Sequence, residues 1–199
     1  MIVCTGVNGS DAACLIEDLA ELRCRVFREY PYLYAGDIDY ERDYLANYTK
    51  TDSTYLVIVK SDGNMVGVST CMPLTDADPA FQQPFIAAGY DLTKIAYFGE
   101  SVLLPEFRGQ GLGHRFFDLR ESWAKNHHFD INAFCSVIRS DDHPARPYDY
   151  RSNDSFWMKR GYQRHDELIA SLDWPEITSS SDRDSDCVHQ LVFWLKSSA

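Results

Sequence analysis

The sequence contains no apolar run near the roughly 20 residues that a membrane-crossing helix requires, so no membrane partner is expected. Its first residues, MIVCTGVNGSDAACL, lack a basic start and a long apolar stretch, which argues against a secretory signal. The six cysteines (Cys4, Cys14, Cys24, Cys71, Cys135, Cys187) are scattered, with no C-x-x-C pair. That spacing offers neither a zinc site nor a disulfide framework. Buried, reduced thiols in a cytoplasmic protein are the expectation, with no metal. Basic residues are also scarce: 19 Lys and Arg stand against 30 Asp and Glu, a formal net charge of −11. Nucleic-acid binding needs a basic surface to displace counterions, so no nucleic-acid partner is expected. The rest is ordinary for a globular chain: 45% of 199 residues are hydrophobic and 25% charged, enough for one domain, 1–199, with a real core.

Periodicity then orders the chain. Met1 to Thr5 reads as a short strand. Ser10 reads as a helix cap before Leu15, Leu19, Leu22 and Val26, whose 4, 3, 4 spacing marks one helix face ending before Pro31. Tyr40, Tyr44 and Tyr48 suggest a second helix from about Asp39. TYLVIVK (54–60) and MVGVSTCM (65–72) flank the turn-rich SDGN and read as an antiparallel hairpin. Residues 73–93 form a long connection with three prolines and a short helix around Phe81 to Ala88. KIAYFGESVLL (94–104) reads as one strand, followed by a glycine cluster and a helix to about Asn126. On that helix Leu112, Phe116, Leu119 and Trp123 form the inner face, and Glu121 and Lys125 a solvent-side pair. INAFCSVIR (131–139) is a further strand, SDDHPARPYDYRS is irregular, and NDSFWMKR is a short helix closed by Gly161. Strands near 163–173 and 188–195 flank SSSDRDSD, a polar, mobile loop. Hairpins beside crossovers imply an α/β fold with a mixed sheet.

The cluster RGQGLGH carries the chemistry. A nucleoside-triphosphate loop would end in G-K followed by Ser or Thr, but here Gly113 is followed by His114 and Arg115. A dinucleotide loop needs G-x-G-x-x-G, and glycines at 109, 111 and 113 miss the last spacing. An anion-binding turn at a helix N-terminus fits, because glycines let backbone N–H groups converge and the helix adds its positive end. The competing reading is a turn that only packs tightly against the sheet.

With its flanks, LLPEFRGQGLG resembles the acyl-CoA-binding signature of the GNAT superfamily of N-acetyltransferases. The core of that signature is Arg or Gln, two residues, Gly, one residue, then Gly or Ala. Arg108, Gly111 and Gly113 take the fixed positions, and FWMKRGY is similar to the family's short helix ending in Gly and an aromatic. The resemblance spans about residues 10–195 and implies a mixed, mostly antiparallel, splayed sheet flanked by about four helices.

It also implies acetyl-CoA as cosubstrate. The pyrophosphate would rest on backbone N–H groups from Arg108 to His114, chiefly Gly109, Gln110, Gly111, Leu112 and Gly113. The pantetheine arm would bond the backbones of Val102, Leu103 and Leu104, and a backbone N–H there would hold the thioester oxygen. Arg108 would touch phosphate or brace the loop.

Glu100, on the signature strand, matches a carboxylate base of several members; a glutamate satisfied by a nearby arginine is the bland alternative. Trp157 stands where many members place a tyrosine acid, so Tyr150, near Tyr148, is the substitute, with His143 an outside candidate. Cys135 lies in an apolar run that raises a thiol's pKa, against a covalent route. Asn153 and Ser155 would touch the cofactor or cap the short helix. The acceptor pocket would include Tyr30, Tyr32, Tyr34, Tyr40 and Tyr44 among carboxylates, suited to a cationic amine.

The implied function is acetyl transfer to a primary amine of a small molecule or basic residue, in a protein open to homodimerisation. The alternatives are a non-catalytic acyl-CoA-binding domain, and an enzyme using a longer acyl-CoA that the 73–93 connection would accommodate.

Overall fold

In a computed structural model, which describes residues 1–49, 51–177 and 187–198, the turn-rich tetrad closes the expected hairpin. Strands β2 (Tyr55–Ser61) and β3 (Asn64–Pro73) pair antiparallel, and Asp62 and Gly63 turn the chain at φ of 49° and 89°. Strand β1 (Ile2–Asn8) adds antiparallel to β2 and runs further than Met1 to Thr5. A 3-10 turn, Ser10–Leu15, precedes α1 (Ile16–Val26). The Ser10 hydroxyl bonds Asp52 instead of capping that helix. Helix α2 (Ile38–Tyr48) is capped by Asp37, which accepts from the N–H groups of Asp39 and Tyr40 at 3.0 and 3.1 Å.

The long connection is filled rather than open. Helix α3 (Pro79–Ala87) buries Phe81 and Phe85 against Phe193 of a later strand, with ring centroids 6.5 and 4.7 Å away.

The expected strand 94–104 is two strands. Strand β4 (Ile95–Tyr97) pairs with β3 at Met72 and Pro73, and β5 (Ser101–Leu103) pairs with β3 at Gly67 to Ser69. Between Tyr97↔Met72 and Ser101↔Ser69 lie three residues on one side, Phe98 to Glu100, and two on the other, Thr70 and Cys71. That extra residue is a bulge, which bends the strand. Gly99 sits in the bend, where a Cβ would lie 2.9 Å from the Thr70 hydroxyl, so the close approach demands glycine.

Past the bend the sheet splits. Strand β4 continues parallel to β6 (Ile131–Val137), which pairs with β8 (Cys187–Ser197) and through it with β7 (Gln163–Trp174). The order is β1-β2-β3-β4-β6-β8-β7 with β5 on β3, so a wedge opens between β5 and β6. Helices α1 and α2 cover one face beside β3 and β5, and α4 (Leu112–Asn126) packs on β2 and β3. Helix α5 (Asp154–Lys159) rests on α4 and β6 through aromatic rings. Glu121 is not a solvent-side partner of Lys125: it accepts from Arg160, Lys196 and Tyr162, tying α4 to β8 and to the chain after α5. Of the cysteines only Cys71 is fully buried; Cys14 is exposed and the others are half-buried. No helix among the described residues is long and apolar enough to cross a membrane. The stretch SSSDRDSD lies outside the described residues.

Candidate active site

Pro105 opens a short turn after β5, and Gly109 and Gly111 then take φ of 74° and 82°, a region that other residues adopt only with strain. Gly111 is the N-cap of α4 and brings no side chain to bond the helix's first N–H groups. The groups of Leu112, Gly113 and His114 therefore end the helix as bare donors with its positive dipole behind them. Arg115 N–H makes the first helical bond, to Gly111 O at 3.2 Å. This end fits a pyrophosphate.

The side chains around it are engaged elsewhere. Gln110 Nε2 donates to Glu106 O, and the His114 ring meets Phe156 edge-on and lies 3.1 Å from Arg160. Arg108 Nε donates to Leu103 O at 3.0 Å and its Nη1 to Glu29 at 2.8 Å. Arg108 is thus a brace between the loop, β5 and the segment after α1.

The backbone of β5 alternates, and two bonds settle its phase. Leu104 N–H donates to Val66 O, and Thr70 N–H donates to Glu100 O. In an antiparallel pair, Glu100 and Val102 then direct their N–H and C=O groups, and Leu104 its N–H, to β3, while Ser101 and Leu103 direct theirs away, to the wedge. The expectation for Val102 and Leu104 is corrected on this point: the Val102 groups and the Leu104 N–H are spent on the sheet, and the Leu104 C=O accepts from Phe107 N–H. Ser101, absent from the expected set, faces the wedge because the bulge at Phe98 to Glu100 sets the phase of the strand. Leu103 keeps its N–H for the wedge, its C=O being taken by Arg108.

Glu100 lies at the head of the wedge and is 6% exposed. Its carboxylate pairs with Arg23 of α1 and receives the Tyr44 hydroxyl at 3.5 Å. Arg23 also pairs with Glu41, which is wholly buried. Burial pushes the Glu100 carboxyl above its usual value; Arg23 opposes this and Glu41 reinforces it. Arg23 was hidden in the sequence on the apolar stripe of α1, four residues after Leu19.

Among the described residues, Tyr44 is the tyrosine whose hydroxyl bonds this carboxylate. Tyr44 and Tyr48 share a 2.6 Å hydrogen bond, while Tyr40 of the same row is exposed. Tyr32 is raised by burial, then by the charges of Cys135 and Glu100, with Tyr150 also in range. Tyr150 precedes α5, stands edge-on to Tyr30 at 4.6 Å and is raised chiefly by burial. Tyr34 is buried, and Tyr30 faces His143 at 5.7 Å. His143 lies 3.5 Å from Glu176, to one side of this group. Trp157 packs on Phe134 and Trp194, so α5 sends no hydroxyl into the wedge from that position. The Cys135 thiol meets the Tyr97 hydroxyl at 3.4 Å, and burial pushes it up to about 12. Asn153 is exposed and makes no cap bond; Ser152 Oγ takes the Asp154 N–H instead, and Ser155 is exposed.

Residues 16–169 match the model of the acetyltransferase (GNAT) family. The chain belongs to that family. Solved GNAT-like folds agree. The N-acetyltransferase from Staphylococcus aureus Mu50 is 11% identical, covering 100% of this chain and 99% of that one, with a TM-score of 0.59. An aminoglycoside 6'-N-acetyltransferase complexed with coenzyme A is 11% identical over 99% and 97%, with a TM-score of 0.61. The ribosomal-protein-alanine N-acetyltransferase from Brucella melitensis is 11% identical over 98% and 99%, at 0.54. At such identities the likeness concerns the GNAT fold alone. No curated protein sequence matches the chain.

Proposed function

We propose that this GNAT protein transfers the acetyl group of acetyl-CoA to a primary amine of a small molecule or basic residue, by direct attack in a ternary complex. The observation that carries the reading is one of placement. A helix end free of side-chain caps, the outward backbone of β5 and a buried carboxylate follow one another along a single wedge. Bound acetyl-CoA supplies the activated thioester. The N–H groups of Gly109 to His114 hold its pyrophosphate, and Leu103 N–H orients its arm.

The chain's own residues do the proton work. Glu100 takes a proton from the acceptor ammonium, and a carboxyl raised by burial is a stronger base than an exposed one. Ser101 N–H points to where the thioester oxygen would gather charge. Tyr150 or Tyr32 gives the departing thiolate its proton, each with a hydroxyl that burial keeps protonated. A covalent step on Cys135 is disfavoured, since a thiol near 12 stays protonated at neutral pH. The acceptor would enter past Tyr44 and Tyr48, where two buried carboxylates outnumber one guanidinium.

Calorimetry with acetyl-CoA tests the reading. The protein should bind it, and Gly111→Val, strained at φ 82°, should abolish binding while the fold survives. Binding that persists in a folded Gly111→Val variant would refute the cradle.

A further inference from the structure

Arg120 of α4 is the one charged group in the core whose burial nothing described above requires. It is 1% exposed, and every hydrogen bond it makes among the described residues goes to a backbone carbonyl. Isolated buried charge is costly, and a leucine would pack this helix face without that cost. The side chain instead bonds backbone carbonyls. Nε donates to Phe116 O at 3.2 Å, and Nη1 donates to Thr70 O at 3.4 Å and Glu100 O at 3.1 Å. Its guanidinium lies over the rings of Phe98 and Phe117, 4.6 and 4.8 Å from their centroids, and Nη2 is buried with no partner. Two of the three carbonyls belong to the bulge and its partner strand.

The Glu100 carbonyl is the important one. It accepts from Arg120 and from Thr70 N–H together. The same peptide unit carries Ser101 N–H, which leaves the opposite side of the strand for the wedge. A cation bonded to a peptide carbonyl draws electron density from its nitrogen and makes the N–H a stronger donor, and chained hydrogen bonds polarise one another in a low-dielectric interior. It also fixes the plane of that peptide.

We infer that Arg120 is a positioning residue for acetyl transfer, which orients and polarises the Glu100–Ser101 peptide so that Ser101 N–H grips the thioester oxygen. The inference rests on the acetyl-transfer reading above. It assigns to α4 a part in the chemistry from behind the sheet, separate from the phosphate-holding role of its N-terminus.

Isotope-edited infrared spectroscopy of acetyl-CoA labelled with 13C at the thioester carbonyl tests this directly. Bound to the wild type, the carbonyl band should move to lower frequency than in free acetyl-CoA. Arg120→Met should return it part of the way to the free position, and Arg120→Lys should recover some of the loss. In turnover, Arg120→Met should lower kcat by about 10- to 100-fold, less than deletion of a direct oxyanion donor, with the acetyl-CoA KM within about two-fold. If the Met variant does not fold, Arg120→Gln, which keeps donors but no charge, takes its place with the same expected band shift. A band that sits at the wild-type position in the neutral variant overturns the inference, as does a wild-type band that does not move on binding. A wild type with a displaced band but no thiol release with any amine would refute acetyl transfer and leave the polarisation of Ser101 standing.

Discussion

Replacing Glu100 with Gln separates two demands on one carboxylate. Arg23, Glu41 and Glu100 are 8%, 0% and 6% exposed, so the triad holds two buried negative charges against one positive. Arg23→Met would leave both carboxylates without their cation, and breaking a buried pair in this way costs about 3–5 kcal/mol. Glu100→Gln removes the surplus charge and leaves Arg23 balanced by Glu41. It loses a charge-assisted bond worth about 1.5–3 kcal/mol but also relieves the desolvation that raises this carboxyl. The net stability change should therefore lie within about 1 kcal/mol of zero, by the same balance of terms. Linkage fixes the sign with pH. A carboxyl with a raised folded pKa contributes stability below that pKa and loses it as pH rises through it. Wild type should thus gain on the Gln variant as the pH falls through the Glu100 titration. Activity moves the other way: loss of a general base costs about 10²–10⁴-fold, and the rise of kcat/KM with pH through the Glu100 titration should vanish. Urea denaturation and pH–rate profiles, run on both proteins, measure the two effects. A Gln variant destabilised as much as Arg23→Met, or one with the wild-type pH–rate profile, would refute the reasoning.

In steady-state assays one of Tyr32→Phe and Tyr150→Phe should lower kcat with little change in the acetyl-CoA KM, and wild-type turnover in both would refute a tyrosine acid here. Cys135→Ala should keep turnover within a few-fold of wild type, and a loss on the scale of a missing nucleophile would restore the covalent route. Arg108→Ala should weaken acetyl-CoA binding modestly in calorimetry, since the side chain braces Leu103 and Glu29 rather than filling the cradle.

The hairpin, the glycine turn and α4 were legible because each rests on local rules: a turn-rich tetrad, glycines where φ must be positive, and apolar spacing of 4, 3, 4. The break at Phe98 to Glu100 was not. A bulge of one residue leaves no mark in so short a stretch, and the phase of β5 follows from pairings with Thr70 and Val66 that lie far off in sequence. Arg23 and Arg120 escaped for a related reason. Each occupies an inward helix position, four residues after Leu19 and Phe116, where spacing points to the core but residue type points to solvent. For Glu100 the arginine contact that the sequence allowed is present, and that arginine, Arg23, is shared with Glu41; its part as a base belongs to the proposal.

Thiol release from acetyl-CoA across a panel of primary amines tests the central claim most directly. The account predicts free coenzyme A formed at a rate that depends on amine, saturates with it and falls by at least about a hundred-fold in Glu100→Gln. Acetyl-CoA binding without amine-dependent thiol release from any member of the panel would contradict it.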